Sequence, residues 1–275
     1  MSEAPETLRA AAVSVLLTAD APEKAAAART LRARWDAGEL QLEGEQPAMP
    51  RRPARPDRPK LLPPSAMPKR GRAGSPRTRF TMLHALAHIE LNAIDLAVDM
   101  AGRWGPGMPP EFTSDWLKVA DDEAQHFGLL AELLAEAGGA YGDLPAHDGL
   151  WEAAEATHEH LEARLVIVPQ VLEARGLDVT PALIARFHAA GDIAAARVLE
   201  RILADEITHV EAGNRWFRKL CAESVPQPSV RFRELVQIYF RGPVKPPFND
   251  SARSRAGLTT DWYTALGTTE SPSKP

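Results

Sequence analysis

The chain has 275 residues, of which 44% are hydrophobic and 25% are charged, and its formal net charge is −5. These values are ordinary for a globular protein and require no nucleic-acid partner. The single cysteine, Cys221, excludes an internal disulfide and a cysteine-based zinc site, and it fits a reducing compartment.

Hydropathy and the N-terminus bear on the location of the protein. No apolar run approaches the ~18–20 residues that a membrane span requires. The N-terminal segment contains Glu3 and Glu6 and lacks the basic region of a signal peptide. We therefore expect a soluble, cytoplasmic protein without a membrane partner.

Residues 1–45 predict a helical arm. Two alanine-rich segments, 5–18 and 23–37, have the composition of short helices, and the second follows the capping and proline sequence Asp20-Ala21-Pro22.

Residues 46–78 are rich in arginine and contain nine prolines. Proline at this density prevents helix formation and favours an extended path. We interpret the segment as a linker or as a strap that lies on the folded domain, and we call it the strap. Contact with an anionic partner such as RNA is the alternative, although the strap has no aromatic side chain on which a base could stack.

Residues 79–222 predict a four-helix bundle, since alanine, leucine, glutamate and arginine dominate and apolar residues recur at helical spacing. The four helices cover 79–104, 112–137, 150–175 and 192–221. Pro169 predicts a kink in the third helix. Gly176-Leu177-Asp178 predicts the end of that helix, before a short helix to about residue 189. The predicted fold class is all-α.

Residues 223–275 predict one more helix, 229–240, and a tail that wraps around the bundle. The expected anchors of this region are aromatic: Tyr239, Phe240, Phe248, Trp262 and Tyr263.

Two Glu-x-x-His motifs occur, at Glu123–His126 in the second bundle helix and at Glu206–His209 in the fourth. Residues three apart share one face of a helix, so each motif directs a carboxylate and an imidazole to the same point. A glutamate precedes each motif by 33 residues, Glu90 in the first helix and Glu173 in the third. This doubled pattern is the ligand set of a carboxylate-bridged two-metal centre in a four-helix bundle.

The predicted metal ligands are Glu90, Glu123, His126, Glu173, Glu206 and His209. In the third helix, Glu162 is an alternative to Glu173 because the two are about three turns apart, and Glu159 is a weaker alternative. Asp122 and Asp205 each lie one turn before a motif histidine. Each could accept the second N–H of that imidazole and fix its tautomer, or could simply be a solvated carboxylate.

The charges of the predicted ligands indicate the metal. Four carboxylates in one core repel one another, and two divalent cations neutralise them. Mixed oxygen and nitrogen ligation with open positions suits iron or manganese better than structural zinc. We therefore predict two iron ions ~3.5–4 Å apart, with manganese or a mixed manganese–iron pair as alternatives.

The doubled pattern resembles the ferritin-like diiron carboxylate superfamily, and more closely an uncharacterised bacterial ferritin-like family. The segments that carry the resemblance are His88–Glu90, Glu123–Phe127, Glu173–Asp178 and Asp205–His209. Glu173-Ala174-Arg175 is also similar to the third-helix motif of diiron tRNA hydroxylases. The resemblance implies a ferritin-like bundle over residues 80–220. It does not specify the reaction, because the superfamily includes oxygenases, peroxidases, oxidases and iron stores.

Three functions are compatible with these features. The favoured one is a diiron-carboxylate oxidoreductase, such as a hydroxylase or monooxygenase, in which the metal centre itself activates O₂ or peroxide. Its substrate would be a small molecule or RNA, and its electrons would come from an external donor because rubredoxin-type cysteines are lacking. The alternatives are an iron-handling ferroxidase or peroxide-detoxifying protein, and a non-catalytic helical bundle for protein interaction. The oligomeric state stays open, with a homodimer among the possibilities.

Overall fold

The structure is a computed structural model that describes residues 6–63, 66–67, 75–222 and 227–267. Within these ranges the chain forms helices and no β-strand, so the prediction of an all-α fold is confirmed. The end of the tail, 268–275, and two parts of the strap, 64–65 and 68–74, lie outside the described residues. No described helix has the length and apolarity that crossing a bilayer requires.

The α-helices are α1 (Leu8–Leu17), α2 (Ala21–Asp36), α3 (Pro76–Trp104), α4 (Pro110–Glu136), α5 (Gly149–Ala156), α6 (Leu161–Ile167), α7 (Ala174–Ala189), α8 (Ile193–Cys221), α9 (Pro228–Tyr239), α10 (Asp250–Arg255) and α11 (Thr260–Gly267). A 3₁₀ turn, Gly105–Gly107, joins α3 to α4, and a π-helical segment, Val168–Glu173, joins α6 to α7. The chain divides into two compact units, Met1–Trp151 and Glu152–Pro275, and the boundary falls within α5.

In the first unit, α3 and α4 pack against each other, α1 packs on α3, and α2 packs on α4. Every residue of α3 from Glu90 to Gly102 is buried, so this part of the helix is covered on all its faces. The strap contributes to the packing of the unit, since Trp151 Nε1 donates a hydrogen bond to the carbonyl of Arg51.

One face of α3 is polar although it is buried. Its side chains follow one another at intervals of three or four residues, and we call the row the polar stripe of α3. The stripe consists of His84, His88, Asn92, Asp95 and Asp99. Polar groups away from water need partners, which must come from the segments that cover the helix.

Cations from the first unit neutralise the two aspartates of the polar stripe. Lys24 Nζ, on α2, lies 2.7 Å from Asp95, and the second carboxylate oxygen of Asp95 pairs with Arg55 of the strap. Arg103 pairs with Asp99 at 2.6 Å. Because an unpaired buried charge is costly, these contacts tie both the arm and the strap to α3.

In the second unit, the prediction of one continuous third helix over 150–175 is wrong. The chain leaves helical geometry at Thr157–His160, between α5 and α6. The cause is a tertiary cap on the end of α5. Arg164 is fully buried and donates hydrogen bonds to the carbonyl of Ala154 (2.6 Å) and to Oγ1 of Thr157 (2.9 Å). A side chain from the next helix thus satisfies one of the carbonyls that a helix end leaves open.

The predicted helix end at Gly176-Leu177-Asp178 is also wrong, because α7 runs through it without interruption. No neighbouring side chain lies within 4 Å of the position that a Cβ of Gly176 would take, so the glycine is simply tolerated on an open helix surface. The irregularity lies earlier, at the π-helical segment that contains Pro169.

The π-helical segment packs on α8 at a position without a side chain. A Cβ on Gly213 would lie 2.4 Å from Cγ of Pro169, so only glycine allows this approach. Pro169 has no N–H to donate to the carbonyl of Leu165, and Nε2 of Gln170 donates to it instead at 2.9 Å. Asn214, next to Gly213, donates to Oε1 of Gln170 at 3.0 Å.

The C-terminal region of the second unit is held by aromatic packing. Trp262 packs edge-on against Phe217 of α8 and Phe232 of α9, with ring centroids 6.1 and 5.3 Å apart. Tyr263 packs on Phe248 at 4.7 Å. Tyr239 lies 5.6 Å from the ring of His160, so at least four of the five predicted anchors make aromatic contacts within this unit.

Candidate metal centre

The first unit brings one glutamate of α3 and the Glu-x-x-His motif of α4 together. His126 Nδ1 lies 3.2 Å from Oε2 of Glu90 and 3.3 Å from Oε2 of Glu123. All three side chains are buried. Each offers one ligand atom, and these atoms lie within 4.8 Å of one another, so the three groups could hold a metal ion.

The lengths of α3 and α4 explain why these residues meet. Glu90 lies 14 residues before the end of α3, and Glu123 lies 13 residues after the start of α4. At ~1.5 Å per residue both are ~20 Å from the 3₁₀ turn that joins the helices. Two helices that pack side by side from a short turn therefore bring the two glutamates to the same level.

The electrostatics of this group favour a bound cation. Burial raises the pKa of Glu90 well above its usual range, and repulsion by the Glu123 carboxylate raises it further. A divalent cation would oppose both effects because it stabilises the ionised carboxylates. The donor set, two carboxylates and one imidazole, fits iron or manganese.

The second unit carries the other Glu-x-x-His motif on α8. Glu206 and His209 are both buried, and Nδ1 of His209 lies 3.8 Å from Oε2 of Glu206. Glu173 ends the π-helical segment; the residue as a whole is partly exposed, but its Oε2 atom is buried. Their roles as metal ligands stay predictions.

The alternative ligands in the segment predicted as the third helix, Glu162 and Glu159, each lie close to a basic residue. Glu162 forms an ion pair with Arg231 of α9, whose guanidinium nitrogens lie 2.9 and 3.0 Å from Oε2 of Glu162. The Glu159 side chain is 74% exposed and lies 3.5 Å from Nε2 of His158. Glu162 thus already binds a cation, and Glu159 lies at the surface.

The two aspartates that precede the motif histidines each contact a basic residue one turn earlier. Lys118 Nζ lies 2.5 Å from Asp122, and Arg201 Nε lies 3.6 Å from Asp205. Their predicted contact with the imidazoles stays a prediction.

Sequence reasoning missed a hydrogen bond between His88 and Tyr141. His88 lies two residues before Glu90 on α3. The hydroxyl of Tyr141 lies 2.8 Å from Nδ1 of His88, and Nε2 of His88 donates to the carbonyl of His147 at 3.0 Å. Burial lowers the pKa of His88 to about 4, so the ring is neutral at pH 7 and the tyrosine donates to it. The Tyr141 ring also packs edge-on against Phe127. The one-turn spacing of His84 and His88 was the available signal, but nothing local marks a loop tyrosine as their partner.

Comparison with known proteins gives one curated relative and one family. An "Uncharacterized protein" of Haemophilus influenzae (strain ATCC 51907 / DSM 11121 / KW20 / Rd) is 43% identical over 216 residues, which are 75% of this chain and 75% of the relative. No solved structure matches the chain. Residues 17–264 match the family described as "Protein of unknown function (DUF455)". By this match over most of its length, the chain belongs to the DUF455 family.

Proposed function

We propose that the protein is a diiron-carboxylate oxidoreductase that activates O₂ or peroxide. The observation that supports this most directly is the buried group of Glu90, Glu123 and His126, with ligand atoms within 4.8 Å of one another. In the proposal Glu206 joins this group, and Glu173 and His209 complete a site for two metal ions. The repeated spacing of glutamate and Glu-x-x-His along the chain supports the six-residue set.

Two iron ions in such a site would supply one-electron redox chemistry with O₂ or peroxide. The residues of the first unit would prepare the site in two ways. Glu90 and Glu123 supply negative charge in a region closed to water, where attraction to a cation is strong. Apolar side chains on the same helices, such as Ile94 and Phe127, are buried and keep water from the ligands.

We further propose a small molecule as the substrate, in preference to RNA. Three strap arginines pair with aspartates of the first unit: Arg52 with Asp148, Arg55 with Asp95 and Arg58 with Asp143. Paired cations attract a phosphate backbone less strongly than free ones. The low aromatic content of the strap supports the same choice. The electrons would come from an external donor.

Metal analysis tests the proposal. Protein from iron-replete cells should contain about two irons per chain. Its near-ultraviolet absorption should bleach on reduction and return on exposure to O₂. Less than about half an equivalent of any transition metal, with no uptake on reconstitution, would refute the redox function and leave a helical scaffold with a polar core.

A further inference from the structure

A buried ion pair joins the C-terminal region to the start of α7. Arg253 of α10 donates to both carboxylate oxygens of Asp178, at 2.8 and 2.7 Å, and both side chains are at most 3% exposed. The guanidinium lies over the rings of Phe248 and Tyr263, at 5.0 and 4.5 Å from their centroids. A bidentate pair that also contacts two aromatic rings holds its partners in one orientation.

Further hydrogen bonds reach the same few residues of α7. Arg175 donates to the carbonyls of Lys245 (2.9 Å) and Pro247 (3.0 Å). The backbone N–H of Asn249 donates to Asp178 at 2.9 Å. Arg253 also donates to the carbonyl of Ala174 at 3.4 Å. The contacts therefore begin at the residue that directly follows Glu173.

A proline in α7 explains one of these contacts. Pro181 has no N–H, so it cannot donate to the carbonyl of Leu177 one turn earlier. The side-chain amide of Asn249 donates to that carbonyl at 3.1 Å. The C-terminal region thus supplies a hydrogen bond that α7 cannot make for itself.

Glu173 lies at a junction in helix geometry, where contacts that stabilise the start of α7 affect its position. It is the last residue of the π-helical segment, and α-helical geometry begins at Ala174. A π turn holds one residue more than an α turn and is less stable. If it relaxed to α geometry, the residues on its two sides would rotate by ~100° relative to each other.

We propose that Arg253, Asn249, Arg175 and Asp178 are positioning residues for Glu173, and that metal loading therefore depends on the C-terminal region. We call these four residues the C-terminal clamp. The inference rests on the proposed function, in which Glu173 is a ligand. It also assigns a role to Arg175 and Asp178, which lie in the Glu173–Asp178 motif without being ligands themselves.

Arg253→Gln tests the clamp, with two matched controls. Arg231→Gln breaks an ion pair to α6, and Leu235→Ala removes buried apolar contacts from α9; neither residue belongs to the clamp. Anaerobic Fe²⁺ binding should be ~10–100-fold weaker in Arg253→Gln, as is typical when a group that orients a ligand is lost. Both controls should bind as the wild type does. In metal-free protein, amide exchange at 173–178 should be faster in Arg253→Gln alone.

The outcomes separate the two proposals. If the wild type binds no metal, the proposed function fails, whereas the exchange of 173–178 still reports on the clamp. If the wild type binds and Arg253→Gln binds equally well, the clamp proposal is overturned. It is also overturned if Leu235→Ala loses as much affinity at a similar melting temperature. Arg175→Gln, at a partly exposed position, provides the same comparison should Arg253→Gln not fold, and Arg253→Lys should retain part of the affinity.

Discussion

At the scale of single residues, the choice between Glu162 and Glu173 as a metal ligand depends on an ion pair and on sequence spacing. Glu162 pairs with Arg231 at 2.9 Å, while Glu173 sits at the junction of π and α geometry. A carboxylate that is paired with a guanidinium would have to give up that partner before it could bind a metal ion. Glu173 precedes Glu206 by 33 residues, the same spacing as Glu90 before Glu123, and we therefore prefer it as the ligand.

Glu173→Ala should therefore lower the bound metal to about one ion per chain or less, while Glu162→Ala should leave the metal content unchanged. Metal analysis after anaerobic reconstitution distinguishes the two variants. Loss of metal in Glu162→Ala alone would move the third-helix ligand to Glu162.

The ion pairs of the first unit differ in burial and should differ in strength. Asp95→Ala removes the partner of two cations, Lys24 and Arg55, in a place closed to water. We expect the free energy of unfolding to fall by about 3–5 kcal/mol, because a buried charge loses its partner. Asp36→Ala breaks the half-exposed pair with Arg32 and should cost about 0.2–1 kcal/mol. Denaturant titration of both variants gives the comparison, and equal losses would contradict it.

At the scale of elements, the junction between α6 and α7 depends on a missing side chain. Gly213 of α8 leaves the space that Pro169 occupies. Because Gly213 has no side chain, the π-helical segment packs closer to α8 than it could if this residue had a Cβ.

Gly213→Ala should lower the free energy of unfolding by about 1–3 kcal/mol, since its Cβ would overlap Pro169. Gly176→Ala is the matched control, because its Cβ would meet no neighbour within 4 Å. That control should be neutral or stabilising by up to about 1 kcal/mol. Thermal unfolding of the two variants measures the difference, and a stable Gly213→Ala would mean that α8 and the π-helical segment can move apart.

The same elements show how far sequence reasoning reaches. The helices that carry Glu90, Glu123 and Glu206 can be predicted from apolar periodicity. The contact between Glu90 and Glu123 can be predicted because the two residues lie equally far from a short turn. The end of α5 cannot be predicted from local sequence, because the side chain that caps it, Arg164, belongs to the next helix. Glycine and proline normally end a helix, so local sequence predicts that α7 ends at Gly176 or Pro181, yet α7 continues past both. For Pro181 the compensating donor, Asn249, lies 68 residues away in sequence.

At the scale of the whole molecule, buried histidines make the stability of the protein depend on pH. His84 Nε2 accepts the backbone N–H of Gly142 at 2.9 Å, and this contact requires an unprotonated nitrogen. Burial lowers the pKa of His84 below its usual value. Below pH ~6.5, His84 therefore binds a proton in the unfolded chain more readily than in the folded protein.

The contribution of His84 to the free energy of unfolding should thus be complete above pH ~6.5 and be lost as the pH falls through its lowered pKa. His84→Gln keeps an acceptor for Gly142 and should lack this dependence. The comparison must use the difference between the two proteins at each pH, since the raised pKa of Glu90 gives a slope of opposite sign. Parallel pH curves for the two proteins would rule out His84 as the titrating group.

The pairing of Lys24 with Asp95 joins residues 71 positions apart, which bears on the order of folding. During synthesis the arm leaves the ribosome before α3, at ~5–20 residues per second, so Lys24 cannot meet Asp95 until α3 follows. The covered face of α3 in turn cannot close without the arm. A shortened chain that began after residue 45 would expose apolar surface of α3 and α4, and Asp95 would keep Arg55 but lose Lys24, so the chain would tend to aggregate. The arm is therefore part of the folding unit and cannot be trimmed as an appendage.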